Sequence, residues 1–354
     1  MQKRYKLLIV CTNQYGYHLD TWYYCKYMSE VFDITYVCWD FNKEKIHSNQ
    51  VNVIYIKREG GKFKRLFNFL YTASKYVKEN DLSFIKYFAG SSFLSFFSKK
   101  TIVDIRTASV SDSKIVRFLQ DLILRLEVKF FKNVTVVSNG VKNKLKLSET
   151  ALLLPLGANV IGSAPTQFDG VLKLLYVGTF TGRKIEESIL GLSLFNERNP
   201  NIEIHYHIVG SGWSSEFNTL KSTVNVKGLD NNVSFHGYLH HEKLSELFSL
   251  CNLGVSYVPL TDYYEHQPAT KTYEYLLSGM PVIATGTYEN KKIVSENFGV
   301  VVQDTPDAFA AGLEVAYKRL INSDFSIDAD TLSIFLWQNI CKNLEINIIN
   351  IIES

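Results

Sequence analysis

Five cysteines are spread over 354 residues, as Cys11, Cys25, Cys38, Cys251 and Cys341. The number is odd and no two stand at C-x-x-C spacing. Zinc ribbons and dithiol redox motifs are therefore excluded, and a disulfide framework is not expected in so long a chain. Reduced, buried thiols in a cytoplasmic protein are the expectation. Charge of one sign is not in excess either: 38 Lys and Arg face 35 Asp and Glu, for a net charge of +3. That is too little for a general polyanion binder, so no nucleic-acid partner is expected. No run approaches the roughly 20 apolar residues of a spanning helix. The opening MQKRYKLLIVCTNQYGY has too short an apolar run for a signal-peptide core and no small-residue cleavage site after it. The chain is thus expected to be soluble, or to lie on a membrane rather than across it. Histidines at 205, 207, 236, 240 and 241 lack a carboxylate or cysteine at ligand spacing, so no metal site is expected.

What is present is an alternation of short β-rich runs and longer helical patterns. Strands are expected at 6–11, 33–38, 51–56, 82–88, 101–105, 133–137 and 151–154, then at 172–177, 202–209, 232–235, 253–258, 281–285 and 299–302. Helical patterns lie between most of them, for example at 184–198, 242–251 and 306–320. Nearly continuous Val/Ile/Leu strands separated by helices mean parallel sheets covered on both faces. Repeated β-α units give a doubly wound α/β fold. The stretch IGSAPTQFDG, 161–170, has no periodicity and reads as a linker. The expected domains are 1–160 and 171–330, both Rossmann-like, facing each other across an interdomain cleft. A helix in 331–354 is expected to pack back across them.

The strongest motif is PATKTYEYLLSGMPVIAT, 268–285. A helix starting near residue 270 puts Lys271 and Glu274 on one face. Thr270 or Thr272 can cap its first turn, Gly279 stops it, and a buried strand follows Pro281. A helix N-terminus after a strand and loop is a prepared anion site, and Lys271 adds a full charge there. Glu274, one turn in, can accept hydrogen bonds from both hydroxyls of a ribose. The plainer alternative is a solvated i, i+3 ion pair, worth only tenths of a kcal/mol. A second motif, LLYVGTFTGRKIEESI at 174–189, ends a strand in Gly178 and Thr179, then offers Arg183 and Lys184 at a helix start. Cations are mildly disfavoured at that end of a helix, which points to an anion partner. A third, HIVGSGWSSEFNTL at 207–220, turns at Gly210 and Gly212 but lacks the third glycine of a dinucleotide fingerprint.

The 268–285 segment resembles the donor-site signature of family 4 glycosyltransferases, retaining enzymes of the GT-B fold. Their usual form is a Glu, seven residues and a second Glu, then a short helix and G-x-P-V-I. Glu274, Gly279, Pro281, Val282 and Ile283 match. His266 stands where the first Glu would, with Glu265 one residue away, and the chain resembles the subset with P-x-x-K-x-x-E-Y. The resemblance implies that Glu274 binds the nucleotide ribose and that a basic residue, Arg183 or the adjacent Lys184, neutralises the donor diphosphate. Glu265, His266 and Gln267 are the candidates for contacts to the donor sugar. The family's V-x-F-x-G, in a loop that touches the base, is matched by Val233, Phe235 and Gly237; Tyr238 follows, as a residue packed on the base or as an ordinary turn residue. NVTVVSNGVKNKL (133–145) and LLLPLGANV (152–160) resemble N-terminal-domain elements of the same family. On the acceptor side stand Gly16 and the pair Asp104 and Arg106, for which a purely structural ion pair is the alternative.

The resemblance implies a retaining transfer from a nucleoside-diphosphate sugar to a glycan or lipid-linked acceptor, in capsule, lipopolysaccharide or exopolysaccharide synthesis. No cofactor is implied. Arg183 and Lys271 would stand in for a divalent ion, since no acidic metal motif of the metal-dependent glycosyltransferase fold is recognised. The alternatives are a sugar-nucleotide epimerase of the same architecture and a non-catalytic nucleotide- or glycan-binding homologue. Finally, KREGGKFKRLFNFLYTASKYVK, 57–78, places Phe63, Phe67 and Leu70 on one helical face, with Leu66 beside them, among seven cations. Either this face covers the N-terminal sheet or it docks on the anionic inner surface of the cell membrane.

Overall fold

The computed structural model describes residues 4–354, apart from the side chains of His241 and Ala329. The chain divides into two compact units, residues 1–157 with 337–354, and residues 158–336.

In the first unit the elements run β1 (Tyr5–Val10), α1 (Leu19–Met28), β2 (Phe32–Asp40), β3 (Val51–Lys57), α2 (Lys62–Glu79) and β4 (Leu82–Lys86). A 3-10 segment, Ser91–Phe96, comes next, then β5 (Thr101–Ile105), α3 (Lys114–Val128), β6 (Asn133–Val136), α4 (Asn139–Lys144) and β7 (Leu152–Leu153). The sheet order is β3-β2-β1-β4-β5-β6-β7, and every pairing is parallel. Successive residues of β1 point to opposite faces and both faces are covered. Leu7 and Ile9 join one core cluster, and Leu8 and Val10 the other. That is why the strand reads as an unbroken apolar run. Each such side chain taken fully from water contributes about 1.5–3 kcal/mol.

The second unit runs β8 (Leu172–Val177), α5 (Ile185–Arg198), β9 (Ile204–Val209), α6 (Ser214–Val226), β10 (Val233–Gly237), α7 (His241–Leu250) and β11 (Leu253–Ser256). It continues with α8 (Thr270–Leu277), β12 (Val282–Thr285), α9 (Tyr288–Ile293), β13 (Gly299–Val302), α10 (Pro306–Ile321) and α11 (Ala329–Leu332). The parallel sheet is ordered β10-β9-β8-β11-β12-β13. In each unit the order reverses beside the first strand, between β1 and β4 and between β8 and β11. Ligands of open α/β sheets bind at such switch points, beyond the carboxyl ends of the strands. The expected pair of doubly wound parallel sheets is present.

Three details differ from the sequence reading. The stretch 161–170 is attached to the second unit: Ile161 N donates to Ser278 Oγ at 3.1 Å and Ala164 N to Ser278 O at 2.8 Å. The last helix, α12 (Trp337–Glu353), belongs to the first unit. Trp337 stacks on Tyr23 of α1 at 5.0 Å, and Leu344 and Ile348 enter the core. Trp337 also lies so close to Gly157 that a Cβ there would fall 2.2 Å from its ring. The strand expected at 253–258 stops at Ser256, because Thr285 Oγ1 takes over the backbone of Val258, accepting from its N–H at 2.8 Å and donating to its carbonyl at 2.6 Å.

Candidate donor-binding site

The site forms where β8 and β11 diverge. Leaving β8, Gly178 adopts φ +152°. A Cβ on it would lie 2.9 Å from Lys271 Nζ, so only glycine leaves that ammonium its place. Gly210, ending β9, has φ +145°, and its Cβ would meet Gly178 O at 1.7 Å. The two glycines thus let two strand-end loops touch. Glu216, in the first turn of α6, ties the loop down. Its carboxylate accepts from Thr181 Oγ1 at 2.8 Å, Gly182 N at 3.1 Å and Trp213 N at 3.1 Å.

Helix α8 carries Lys271 and Glu274. Its N-cap is Ala269, with no side-chain cap, which corrects the expectation that Thr270 or Thr272 caps it. Thr270 is already the first helical residue. The Thr272 hydroxyl is buried, hydrogen-bonded with Ser256 Oγ at 2.7 Å and Asn290 Oδ1 at 3.1 Å. Thr272 N donates to Ala269 O at 3.0 Å, and among the described residues the N–H groups of Thr270 and Lys271 have no protein partner, so they are left to a ligand or to water. At the other end Gly279 takes φ +75°, and bonds from Gly279 N to Leu276 O and Met280 N to Tyr275 O close a Schellman motif. Tyr275 Oη accepts from Val177 N at 2.9 Å, locking α8 to the end of β8.

The charged groups are held in an unusual way. Lys271 Nζ sits 3.6 Å from the Tyr176 ring centroid, and the Arg183 guanidinium 4.2 Å from that of Tyr264. Neither cation has a carboxylate within ion-pair distance among the described residues. Arg183 Nη1 is buried and has no hydrogen-bond partner among the described residues. An aromatic face positions a cation without consuming its N–H donors, so both charges stay open to an anion. Burial pushes the Lys271 ammonium well below its usual range, helped by the nearby Arg183 charge and opposed by Glu274. Burial also raises the Glu274 carboxyl to about 7, against the pull of Lys271. Both groups carry a desolvation cost that an anion on the cations and a hydroxyl pair on the carboxylate would relieve.

The structure therefore brings Gly178, Arg183, Lys271 and Glu274 together, with Gly210 beneath them. Other candidates are placed differently. Thr179 is exposed, and its carbonyl accepts from Tyr176 Oη at 2.7 Å. Lys184 takes a left-handed φ of 51° and lines a small hollow with Glu186 and Glu216. A Cβ on Gly212 would fall 2.9 Å from the Glu216 carboxylate. Tyr238 is exposed beside His240. Glu265 Oε1 accepts from Tyr288 N at 3.0 Å, the first residue of α9, and the His266 ring lies 5.0 Å from that of Tyr288. Gln267 N donates to Tyr264 O at 3.0 Å, closing the turn that presents Tyr264.

In the first unit, Gly16 has φ +85° and packs under Ile46. Asp104 and Arg106 are buried, with Arg106 Nε 2.6 Å from Asp20 and Nη1 3.8 Å from Asp104. Arg106 Nη1 also donates to Leu154 O at 2.7 Å. Burial raises the Asp104 carboxyl to about 6, countered by Arg106 and by the Thr135 hydroxyl. These groups bond to one another inside the unit. All five cysteines are buried and free. His207 and His236 share a ring-nitrogen contact of 3.0 Å. No cluster of three or more metal-ligand side chains occurs among the described residues. The sequence has one D-x-D triplet, at 328–330, which starts α11: Asp328 accepts from the N–H groups of Asp330 and Thr331.

Residues that the sequence reading did not single out are Tyr176, Tyr264, Tyr275 and Glu216. Each acts through a contact between segments far apart in the chain.

Residues 172–319 match the family model for glycosyl transferases, group 1. That span runs from β8 into α10 and contains the whole constellation just described. No curated protein matches the sequence. Solved structures do match in fold. Sucrose-phosphate synthase from Thermosynechococcus elongatus is 17% identical with a TM-score of 0.75, over 99% of this chain and all of that one. HepE from Anabaena, in complex with UDP, is 13% identical with a TM-score of 0.78, over 98% of this chain and all of that one. The lipopolysaccharide outer core galactosyltransferase WaaB is 14% identical with a TM-score of 0.68, over 97% and 98%. At these identities the likeness is one of fold, and the fold is that of GT-B glycosyltransferases.

Proposed function

We propose that this chain is a retaining glycosyltransferase that moves a sugar from a nucleoside-diphosphate sugar to a glycan or lipid-linked acceptor. The observation that carries this reading is the pair of cations, Arg183 and Lys271, held on tyrosine faces with no carboxylate partner among the described residues. Lys271 stands in the uncapped first turn of α8 and feels the charge of Arg183, beside a carboxylate that accepts no hydrogen bond from the described protein groups. A nucleoside diphosphate supplies the missing partners: its phosphates to the cations and helix N–H groups, its ribose hydroxyls to Glu274. HepE, of the same fold, is seen with UDP and with UDP-glucose, which supports a donor of this class.

In this reaction the leaving diphosphate gathers negative charge as the anomeric bond breaks, and the sugar becomes oxocarbenium-like. Arg183 and Lys271 stabilise that charge from fixed positions, so little reorganisation is needed as it develops. Phosphate charge favours the ammonium form of Lys271, which burial alone disfavours. Glu274 fixes the nucleoside and hence the anomeric carbon. Tyr176 and Tyr264 keep the two cations in place.

The test is transfer or donor hydrolysis with a panel of nucleotide sugars, in excess chelator. Activity is expected to persist there, because the cations supply the charge a metal would. Glu274→Ala is expected to lower it about 100-fold or more, by loss of hydrogen bonds to a charged acceptor and of donor alignment. A folded Glu274→Ala protein with normal activity would refute the assignment. Activity that returns only with added manganese or magnesium would refute the metal-free reading.

A further inference from the structure

The first unit carries an apolar surface that its own core does not use. In α2 the sheet is covered by Phe69, Ala73 and Val77. Phe63, Phe67 and Tyr71, spaced four apart on another face, are 89%, 68% and 54% exposed. Helix α3 behaves alike. Leu124 and Val128 are buried, while Ile115 and Phe118 are 73% and 62% exposed. The 3-10 segment Ser91–Phe96 joins the two. Phe93 and Phe96 line a hollow of about 770 Å³ against α2, and the Phe96 ring lies 5.6 Å from that of Phe130, just past α3. Exposed apolar surface of this extent is uncommon on a protein surface that meets only water.

Cations predominate around this surface, with Glu79 at the end of α2 and Asp112 before α3 as the flanking acids. From Lys62 to Lys78 helix α2 has five cations and no acidic residue. Lys75 and Lys78 lie over the Tyr71 and Phe97 rings at the hollow, 4.4 and 5.0 Å from their centroids. The two acids of α3 face inward. Asp121 is buried and accepts from Ser109 N at 2.9 Å, and Glu127 accepts from Gly90 N at 2.7 Å. What faces out is therefore aromatic and aliphatic surface with a cationic rim. A second copy of the same face would set cations against cations, which argues against self-association. An anionic lipid headgroup layer meets both features, taking the rings into its acyl boundary and the ammonium groups against its phosphates.

We propose that α2, the 3-10 segment and α3 together form a docking face for an anionic lipid bilayer. This inference does not depend on the glycosyl-transfer reading, and its test does not use activity. The full chain is incubated with phosphatidylcholine vesicles containing or lacking about one-third phosphatidylglycerol, and bound protein is measured by flotation. Binding is expected only to the anionic vesicles, and is expected to weaken several-fold between low and high salt. The triple variant Lys62→Glu, Lys64→Glu, Lys75→Glu is expected to lower partitioning at least about tenfold. Phe67→Trp is expected to show fluorescence quenching by brominated acyl chains, reporting ring insertion. These positions are exposed, so thermal melts should be unchanged. Failure to float with anionic vesicles at low salt would overturn the proposal. So would a Phe63→Ser, Phe67→Ser, Phe118→Ser variant that binds vesicles normally but loses a protein complex formed by the unmodified chain; this face would then be a protein interface.

Discussion

Glu274 offers the sharpest test of whether the second unit keeps a costly group for a ligand's sake. Its carboxyl is raised from an ordinary 4.5 to about 7, chiefly by burial. A carboxyl raised in the folded state binds its proton more tightly there than in the unfolded chain. Folding is then unpenalised below about 4.5, where both states are protonated. The penalty grows as pH rises and is complete above about 7. The gap corresponds to a ceiling of ~3 kcal/mol. Residual solvent contact reduces it, to about 1–2 kcal/mol. Glu274→Gln keeps the shape and removes the charge. It is expected to raise the melting temperature at pH 8 by about 3–6 °C and to leave it unchanged at pH 4.5. The same variant should lose most of the stabilisation that a nucleoside diphosphate gives the unmodified chain. Differential scanning calorimetry at the two pH values, with and without UDP, reads both. An equal or lower melting temperature for the variant at pH 8 would refute the reasoning, because Glu274 would then be satisfied within the protein.

Two further outcomes are expected. Gly178→Ala should weaken nucleoside-diphosphate binding at least tenfold by calorimetric titration, because its Cβ would fall 2.9 Å from Lys271 Nζ at a φ of +152°; binding within twofold of normal would contradict the geometry. His207, lowered to about 4 by burial and then by the neighbouring His236, is neutral when folded, so stability present above pH 6.5 should drain away as pH falls towards 4; His207→Gln should flatten that slope in denaturant titrations, and an unchanged slope would remove His207 as its cause.

How much of this was legible in the sequence follows from how local each feature is. All the strands could be read, because a strand buried on both faces writes itself as an apolar run, whatever it packs against. Lys271 and Glu274 could be read too, since one helix and its Gly279 stop fix their relation. The tyrosines could not. With 21 in the chain, nothing local distinguishes Tyr176 and Tyr264 from the rest, and their role exists only once Arg183 and Lys271 are folded over them. The same holds for Glu216, which reads as an ordinary first-turn acid until the 178–184 loop is laid against it. Which unit α12 joins is likewise not written in its periodicity; the stacking of Trp337 on Tyr23 decides it. Helix α2 shows the limit most plainly. Phe63, Phe67 and Leu70 share a face by spacing, and covering the sheet or docking on a membrane fit that pattern equally well. The packing splits that face: Phe69, Ala73 and Val77 meet the core with Leu70 packed against it, and Phe63 and Phe67 stay outside. A helix with apolar residues on two faces gives periodicity nothing to choose with.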